Sequence, residues 1–94
     1  MERKKLSDTE IEKSLSDLNG WKVEDNNLKK RYSFANFAES LAFVNQVGAI
    51  AEKHDHHPDL TFGWGFAEIN FTTHDRNGIT AFDFAVAKEI DAIN

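Results

Sequence analysis

Leu60-Thr61-Phe62-Gly63-Trp64-Gly65-Phe66-Ala67-Glu68-Ile69-Asn70-Phe71-Thr72 is the stretch whose reading decides the fold. Leu60, Phe62 and Trp64 share one face of an extended segment. After Gly65, Ala67, Ile69 and Phe71 line one face of a second segment, while Glu68, Asn70 and Thr72 line the other. A period of two on both sides of a glycine describes a β-hairpin with one buried face. Pro58, the sole proline, biases His57 toward extended backbone and suits an entry into the first of these strands.

The same alternation appears earlier, where Trp21 and Val23 alternate with Lys22 and Glu24. Asp25-Asn26-Asn27 then turns the chain, and Leu28 to Ser33 continues extended. Lys29, Lys30 and Arg31 form a basic cluster on that strand, read as a solvated face or a blunted sheet edge without functional weight. Helical spacing fills the remainder. Ser7-Asp8-Thr9-Glu10 is a capping box, Ile11, Leu15 and Leu18 follow on one face, and Asn19-Gly20 supplies a stop, which predicts a helix of about three turns. Ser33 is the expected cap of the longest helix, with Phe34, Phe37, Leu41, Val44 and Val47 as its stripe, Phe43 and Ile50 widening it, and an end near Lys53. Thr80 caps a last helix with Asp83 at its third position, and Phe82, Val86, Ile90 and Ile93 form its apolar face. The order is therefore αββαββα. Helices with one apolar stripe each need a sheet face to cover, so the expected class is α+β, a four-stranded antiparallel sheet with three helices packed on one face.

With 94 residues, 40% of them apolar and 12% aromatic, residues 1–94 form a single domain with enough material for one core. The absence of cysteine excludes disulfides, thiolate metal sites and a cysteine nucleophile. Sixteen acidic against 11 basic side chains give a formal charge of -5, the wrong sign for direct nucleic-acid binding. Met1 to Lys5 begin with mixed charges and lead into no apolar run of signal-peptide type, and no stretch approaches the ~20 apolar residues of a membrane span. A soluble cytoplasmic protein with no membrane association is the expectation.

All four histidines fall in two places, Glu52-Lys53-His54-Asp55-His56-His57-Pro58 and Thr72-Thr73-His74-Asp75. Paired positions in an antiparallel hairpin have a constant index sum, and a two-residue turn at Gly65 and Phe66 sets Pro58 opposite Thr73 and His57 opposite His74. A lone surface histidine is usually just a polar residue. Several imidazoles converging at one end of a sheet are what proton transfer near neutral pH requires, since the unperturbed imidazole pKa is ~6.5. Clustered imidazoles also suit a metal, with Asp55, Asp59 or Asp75 as oxygen ligands, but no HExxH accompanies them. Glu52, near a helix C-terminus, sits where a carboxylate is electrostatically unfavoured and so points to a partner such as a histidine or a ligand N–H. Asp83 reads first as a cap; Trp64, between two glycines, reads as sheet, ligand site or interface.

Glu52-x-x-x-His56-His57-Pro58, the aromatic at Trp64, Thr73-His74, Gly78, Thr80 and Asp83 with Phe84-x-x-Ala87 together resemble the pterin-4a-carbinolamine dehydratase family, and Gly20-Trp21 fits as well. The resemblance spans nearly the whole chain. It implies removal of water from a 4a-hydroxytetrahydropterin to give the quinonoid dihydropterin, recycling the tetrahydrobiopterin-type cofactor of aromatic amino acid hydroxylases. It implies no metal and no bound cofactor. The active-site histidines carry over to His56, His57 and His74, with Glu52, Pro58, Trp64, Thr73, Asp75 and Arg76 at the substrate and Asp83 in support. His74 and His56 are preferred for proton transfer, with His57 orienting the pterin. Relatives often carry an aromatic where this chain has Leu60 and a tyrosine where it has Trp64, which bears on the pocket rim. The resemblance further implies a homodimer or homotetramer and a hydroxylase of the same pathway as partner. The alternative of another class is a non-catalytic adaptor, a dimerisation cofactor that needs no histidine cluster; a histidine-ligated metal site is the weaker one.

Overall fold

The computed structural model describes residues 4–73 and 78–93. Seven elements follow in the expected order: α1 (Asp8–Leu15), β1 (Lys22–Glu24), β2 (Asn27–Ser33), α2 (Phe37–His54), β3 (Asp59–Gly63), β4 (Phe66–Phe71) and α3 (Ala81–Asp91). The four strands form one sheet in the order β1-β2-β4-β3, every neighbouring pair antiparallel. Leu28 and Tyr32 of β2 and Ala67, Ile69 and Phe71 of β4 point to one side of the sheet. There they meet Phe43 and Val47 of α2 and Phe84, Val86, Ala87 and Ile90 of α3, with Ile11 and Leu15 of α1 packed against the edge of this core. On the opposite side the ion pairs Lys29–Glu24 and Arg31–Glu68 sit in the open, so that face has no helix over it.

Local chemistry explains most boundaries. At α1 the Ser7 hydroxyl accepts from Glu10 N–H while the Glu10 carboxylate accepts from Ser7 N–H, a complete capping box. That hydrogen bond depresses the Glu10 pKa. The helix stops at Leu15, shorter than the three turns expected. Gly20 does take φ 78, but in the loop beyond, and Leu18 packs on the core from outside the helix. Asp25 and Asn26, at φ 52 and 62, make the two-residue left-handed turn that joins β1 to β2, so Asn27 is already in the strand.

Two expectations for α2 are corrected. Its cap is Asn36, whose side chain accepts from Glu39 N–H, while Ser33 remains in β2 and Phe34 in the connection. The buried stripe is Ser40, Phe43, Val47 and Ala51, which turns Phe37 and Leu41 outward, 45% and 40% exposed. Phe43 and Val47 of the expected stripe do face the core, but a period started at Phe34 centres the stripe too far toward Phe37 and Leu41; the ring of Phe34 packs on Phe43 from the connection instead.

The β3–β4 hairpin turns at Trp64 and Gly65, two positions earlier in index sum than expected. Gly63 pairs with Phe66, and Leu60 with Ile69. The reason is backbone geometry: the turn needs a left-handed residue, and Gly65 supplies it at φ 80, with its carbonyl accepting from Phe34 N–H at 2.8 Å. Extending the ladder past its last pair sets His56, not His57, level with Thr73. Trp64 thereby leaves the sheet for the turn, 72% exposed.

One half-buried polar node was not expected. Lys30, between Lys29 and Arg31, faces the helix side, where its ammonium reaches Asp91 at 3.0 Å. Tyr32 donates to the same oxygen at 2.6 Å and the Trp21 indole N–H to the other at 3.0 Å. The alternation Leu28-Lys30-Tyr32 was the available signal that Lys30 turns inward. Burial works to raise the Asp91 pKa, but the hydrogen bonds from Tyr32, Lys30 and Trp21 outweigh it and the net shift is downward. Burial, reinforced by Asp91, drives the Tyr32 phenol well above its usual range.

Because the folded Asp91 pKa lies below the ordinary value of 3.8, its contribution to stability is complete above that value and is lost as pH falls through the folded pKa. Urea unfolding of wild type and Asp91→Asn should therefore differ by about 1–3 kcal/mol at pH 7 and converge below about pH 4, as the carboxylate's advantage is titrated away.

Candidate functional site

The end of α2 places the first histidines. Asp55 takes φ 50, donating its N–H to the Glu52 carbonyl, and His56 N–H reaches back to the Ala51 carbonyl at 3.1 Å. This is the Schellman arrangement, built on an aspartate where glycine is usual. It fixes the backbone of His56 to the helix, turns its ring into the interior and leaves His57 to lead the chain out toward β3.

His56 is 6% exposed. Its ring lies parallel to that of Phe71, 5.9 Å between centroids with 5° between planes, and Phe82 stands 5.9 Å away on a tilt. Nε2 is 2.5 Å from Oδ1 of Asp83, a fully buried carboxylate. The second oxygen of Asp83 accepts from the Thr73 hydroxyl at 3.0 Å and from Thr80 N–H at 2.9 Å. Thr73 and Thr80 are joined through their hydroxyls at 2.7 Å and are themselves buried. One carboxylate thus holds together the exit of α2, the end of β4 and the start of α3. Asp83 is also the third residue of the α3 capping box, so a single side chain serves both the helix end and the histidine.

His57 is exposed and bonded through Nε2 to the Glu52 carboxylate at 2.8 Å. Glu52 thereby has a histidine partner at the helix end. His54, one turn of chain earlier, points elsewhere: it pairs with Glu89 of α3, beside the Lys53–Glu89 ion pair at 2.6 Å. The hydrogen bonds from Lys53 and His54 lower the Glu89 pKa. His54 therefore links α2 to α3 and lies outside the group around His56.

Of the other expected site residues, Pro58 follows directly after His57 at the mouth of β3. Thr73 shares the carboxylate of Asp83 with the His56 imidazole, and its hydroxyl is turned inward to Asp83 and Thr80. Trp64 lies past the far end of β3 from Pro58, five strand residues or roughly 17 Å away, so one chain does not bring it to the histidines. His74, Asp75 and Arg76 lie outside the described residues; the flanking Thr73 and Gly78 are paired, Thr73 N–H donating to the Gly78 carbonyl at 2.8 Å. Thr80, expected as a helix cap and as one position of the family motif, also belongs to this hydrogen-bonded group. The available signal was that Thr73, Thr80 and Asp83 all stand in the same family motif.

The arrangement supplies a buried imidazole with one nitrogen held by a carboxylate and, next along the chain, an accessible imidazole held by another. Such pairs orient a ring and support proton transfer. For a metal the geometry is less suited: among the described residues no group of three histidines or carboxylates converges, and His54, His56 and His57 each have a carboxylate on Nε2.

Comparison with known proteins identifies the family of the chain. The family model described as pterin 4 alpha carbinolamine dehydratase matches residues 4–93. A protein of Rubrobacter xylanophilus that carries the name pterin-4-alpha-carbinolamine dehydratase provisionally is 45% identical over 89 residues, 94% of this chain and 83% of its own. A protein of Sulfolobus acidocaldarius, named in the same provisional way, is 42% identical over 95% of this chain and 98% of its own. The crystal structure of a transcriptional coactivator/pterin dehydratase from Brucella melitensis superimposes with a TM-score of 0.90 at 30% identity, covering 95% of this chain and 97% of that one. A pterin dehydratase-like protein identified as a RuBisCO assembly factor in the alpha-carboxysome shares the fold, with a TM-score of 0.67 at 24% identity over 82% of this chain and 92% of its own.

Removing the shared carboxylate leaves three buried donors unanswered. Asp83→Ala should lower the unfolding free energy by about 3 kcal/mol or more in urea titration at pH 7, a larger loss than His57→Ala, whose ring is exposed.

Proposed function

The chain belongs to the pterin 4 alpha carbinolamine dehydratase family, and on that premise we propose that it removes water from a 4a-hydroxytetrahydropterin to give the quinonoid dihydropterin. The observation that carries the reading is the buried His56–Asp83 pair followed immediately by the exposed His57–Glu52 pair. In the dehydration the C4a–O bond breaks, a proton joins the departing hydroxyl to form water, and the proton on N5 leaves as the C4a=N5 double bond forms. Both proton movements occur near neutral pH and call for groups that give and take protons there, the ordinary task of imidazole.

In this proposal His56, His57 and His74 serve the substrate. His56 is the buried member, with Asp83 behind it. His57, at the surface, binds and orients the pterin, with Glu52 setting the direction of its ring. His74 shares the proton transfers, and Pro58, Thr73, Asp75 and Arg76 contribute to substrate binding. No metal and no bound cofactor enter the chemistry. The product feeds the cofactor cycle of an aromatic amino acid hydroxylase, and a cytoplasmic setting belongs to the same proposal, compatible with a chain that contains no cysteine.

Stopped-flow dehydration of chemically generated 4a-hydroxytetrahydropterin tests this. His56→Ala and His74→Ala should each slow turnover by about 10²- to 10⁴-fold, the usual worth of one acid or base, while His57→Ala should chiefly raise KM. Unchanged rates in all three variants would remove the catalytic reading.

A second role, as an oligomeric adaptor, is favoured by a separate observation. Phe37 and Phe62 stack 5.9 Å apart in the open, with Leu41 exposed on the same helix, and β3 is an edge strand of the sheet. Exposed aromatic surface beside an unpaired strand edge is suited to symmetric self-association, as a homodimer or a homotetramer. Sedimentation of wild type should give an assembly larger than one chain. Phe62→Lys should shift it toward monomer while leaving the circular dichroism spectrum unchanged, and a wild type that sediments as a monomer at all concentrations would oppose the adaptor reading.

A further inference from the structure

Hydrogen-bond direction around Asp83 is determined by counting protons. Each threonine hydroxyl has one proton to donate. Thr73 donates its own to Oδ2 of Asp83 at 3.0 Å, so toward Thr80, 2.7 Å away, it can only accept. Thr80 must then donate to Thr73, and the Thr80 oxygen in turn accepts from the Phe82 N–H at 3.3 Å. An amide N–H cannot reverse, and a carboxylate offers only lone pairs, so the series Phe82 N–H, Thr80, Thr73, Asp83 runs one way. Thr80 N–H adds a second donor to Oδ2 at 2.9 Å.

With two donors on Oδ2, the remaining demand of the carboxylate falls on Oδ1, which faces Nε2 of His56 at 2.5 Å. If the ring carried its proton on Nδ1, two lone pairs would meet at that distance. We infer that Thr80 and Thr73 are positioning residues whose ordered hydroxyls hold Asp83 as a pure acceptor, so that His56 keeps its proton on Nε2 and works through Nδ1. The two donors on Oδ2 and the contact on Oδ1 reinforce one another, as hydrogen bonds in a buried network do. Phe71, stacked parallel to the ring, leaves the in-plane direction of Nδ1 defined. That Nδ1 is the working nitrogen rests on the dehydratase reading; the hydrogen-bond order does not.

The experiment is long-range proton–nitrogen correlation on protein labelled with nitrogen-15 in histidine, run in parallel with the dehydration assay. Wild-type His56 at pH 8 should show a protonated Nε2 and an unprotonated Nδ1. Thr73→Val should blur this into a mixture of tautomers and slow dehydration about tenfold, the worth of one hydrogen bond to a charged group, and Thr73→Ser should restore both. Wild-type protein with the proton on Nδ1 would overturn the inference, and so would Thr73→Val protein that folds and keeps the wild-type histidine signature. A wild-type spectrum as inferred, in a protein that never accelerates dehydration, would uphold the positioning network and overturn the proposed reaction instead.

Discussion

The carboxylate of Asp83 is the constraint on which the site end of the molecule depends. It is fully buried, far from the water that would otherwise solvate it, and it persists there because three donors from three different segments converge on it. A buried carboxylate cannot lose its donors without a large desolvation cost, so the exit of α2, the end of β4 and the start of α3 are held in one relative position. The placement of the His56 ring is therefore fixed by the same carboxylate that caps a helix.

The second acidic residue of α3 with a comparable role is Asp91, at the opposite end of the helix. Asp83 ties the beginning of α3 to the histidine, and Asp91 ties its end to Trp21, Lys30 and Tyr32. A carboxylate at a helix C-terminus opposes the helix dipole, and the Lys30 ammonium together with two neutral donors compensates for it. The two nodes are joined through the aromatic core: Trp21 packs on Phe71, and Phe71 on His56. Polar fixation at both ends and apolar packing between them give the helix one register against the sheet.

The division between faces and ends also separates the two roles considered for the protein. The imidazoles lie where α2 hands over to β3, whereas the exposed aromatics Phe37 and Phe62 lie where α2 begins and β3 finishes. Surfaces at opposite ends of the same two elements can serve chemistry and association without interfering with each other.

How much of this was legible in the chain differs by kind of signal. Interactions within a few residues were readable: the capping boxes of α1 and α3, the alternation of β4, the element order, and the link from Glu52 to a histidine five residues away all follow from local chemistry. The histidine group was legible from the confinement of all four histidines to two short stretches, and family resemblance then selected His56, His57 and His74 from it. What only the tertiary structure decided were pairings between segments distant in sequence. The left-handed requirement at Gly65 moved the hairpin register by two and brought His56 level with Thr73, the rotation of α2 turned Phe37 outward, and Lys30 became an inward partner of Asp91, 61 residues away. Local sequence sets which backbone shapes are affordable, but the partner of a buried charge is chosen by whatever the folded chain brings within reach, and that choice is not written at either residue alone.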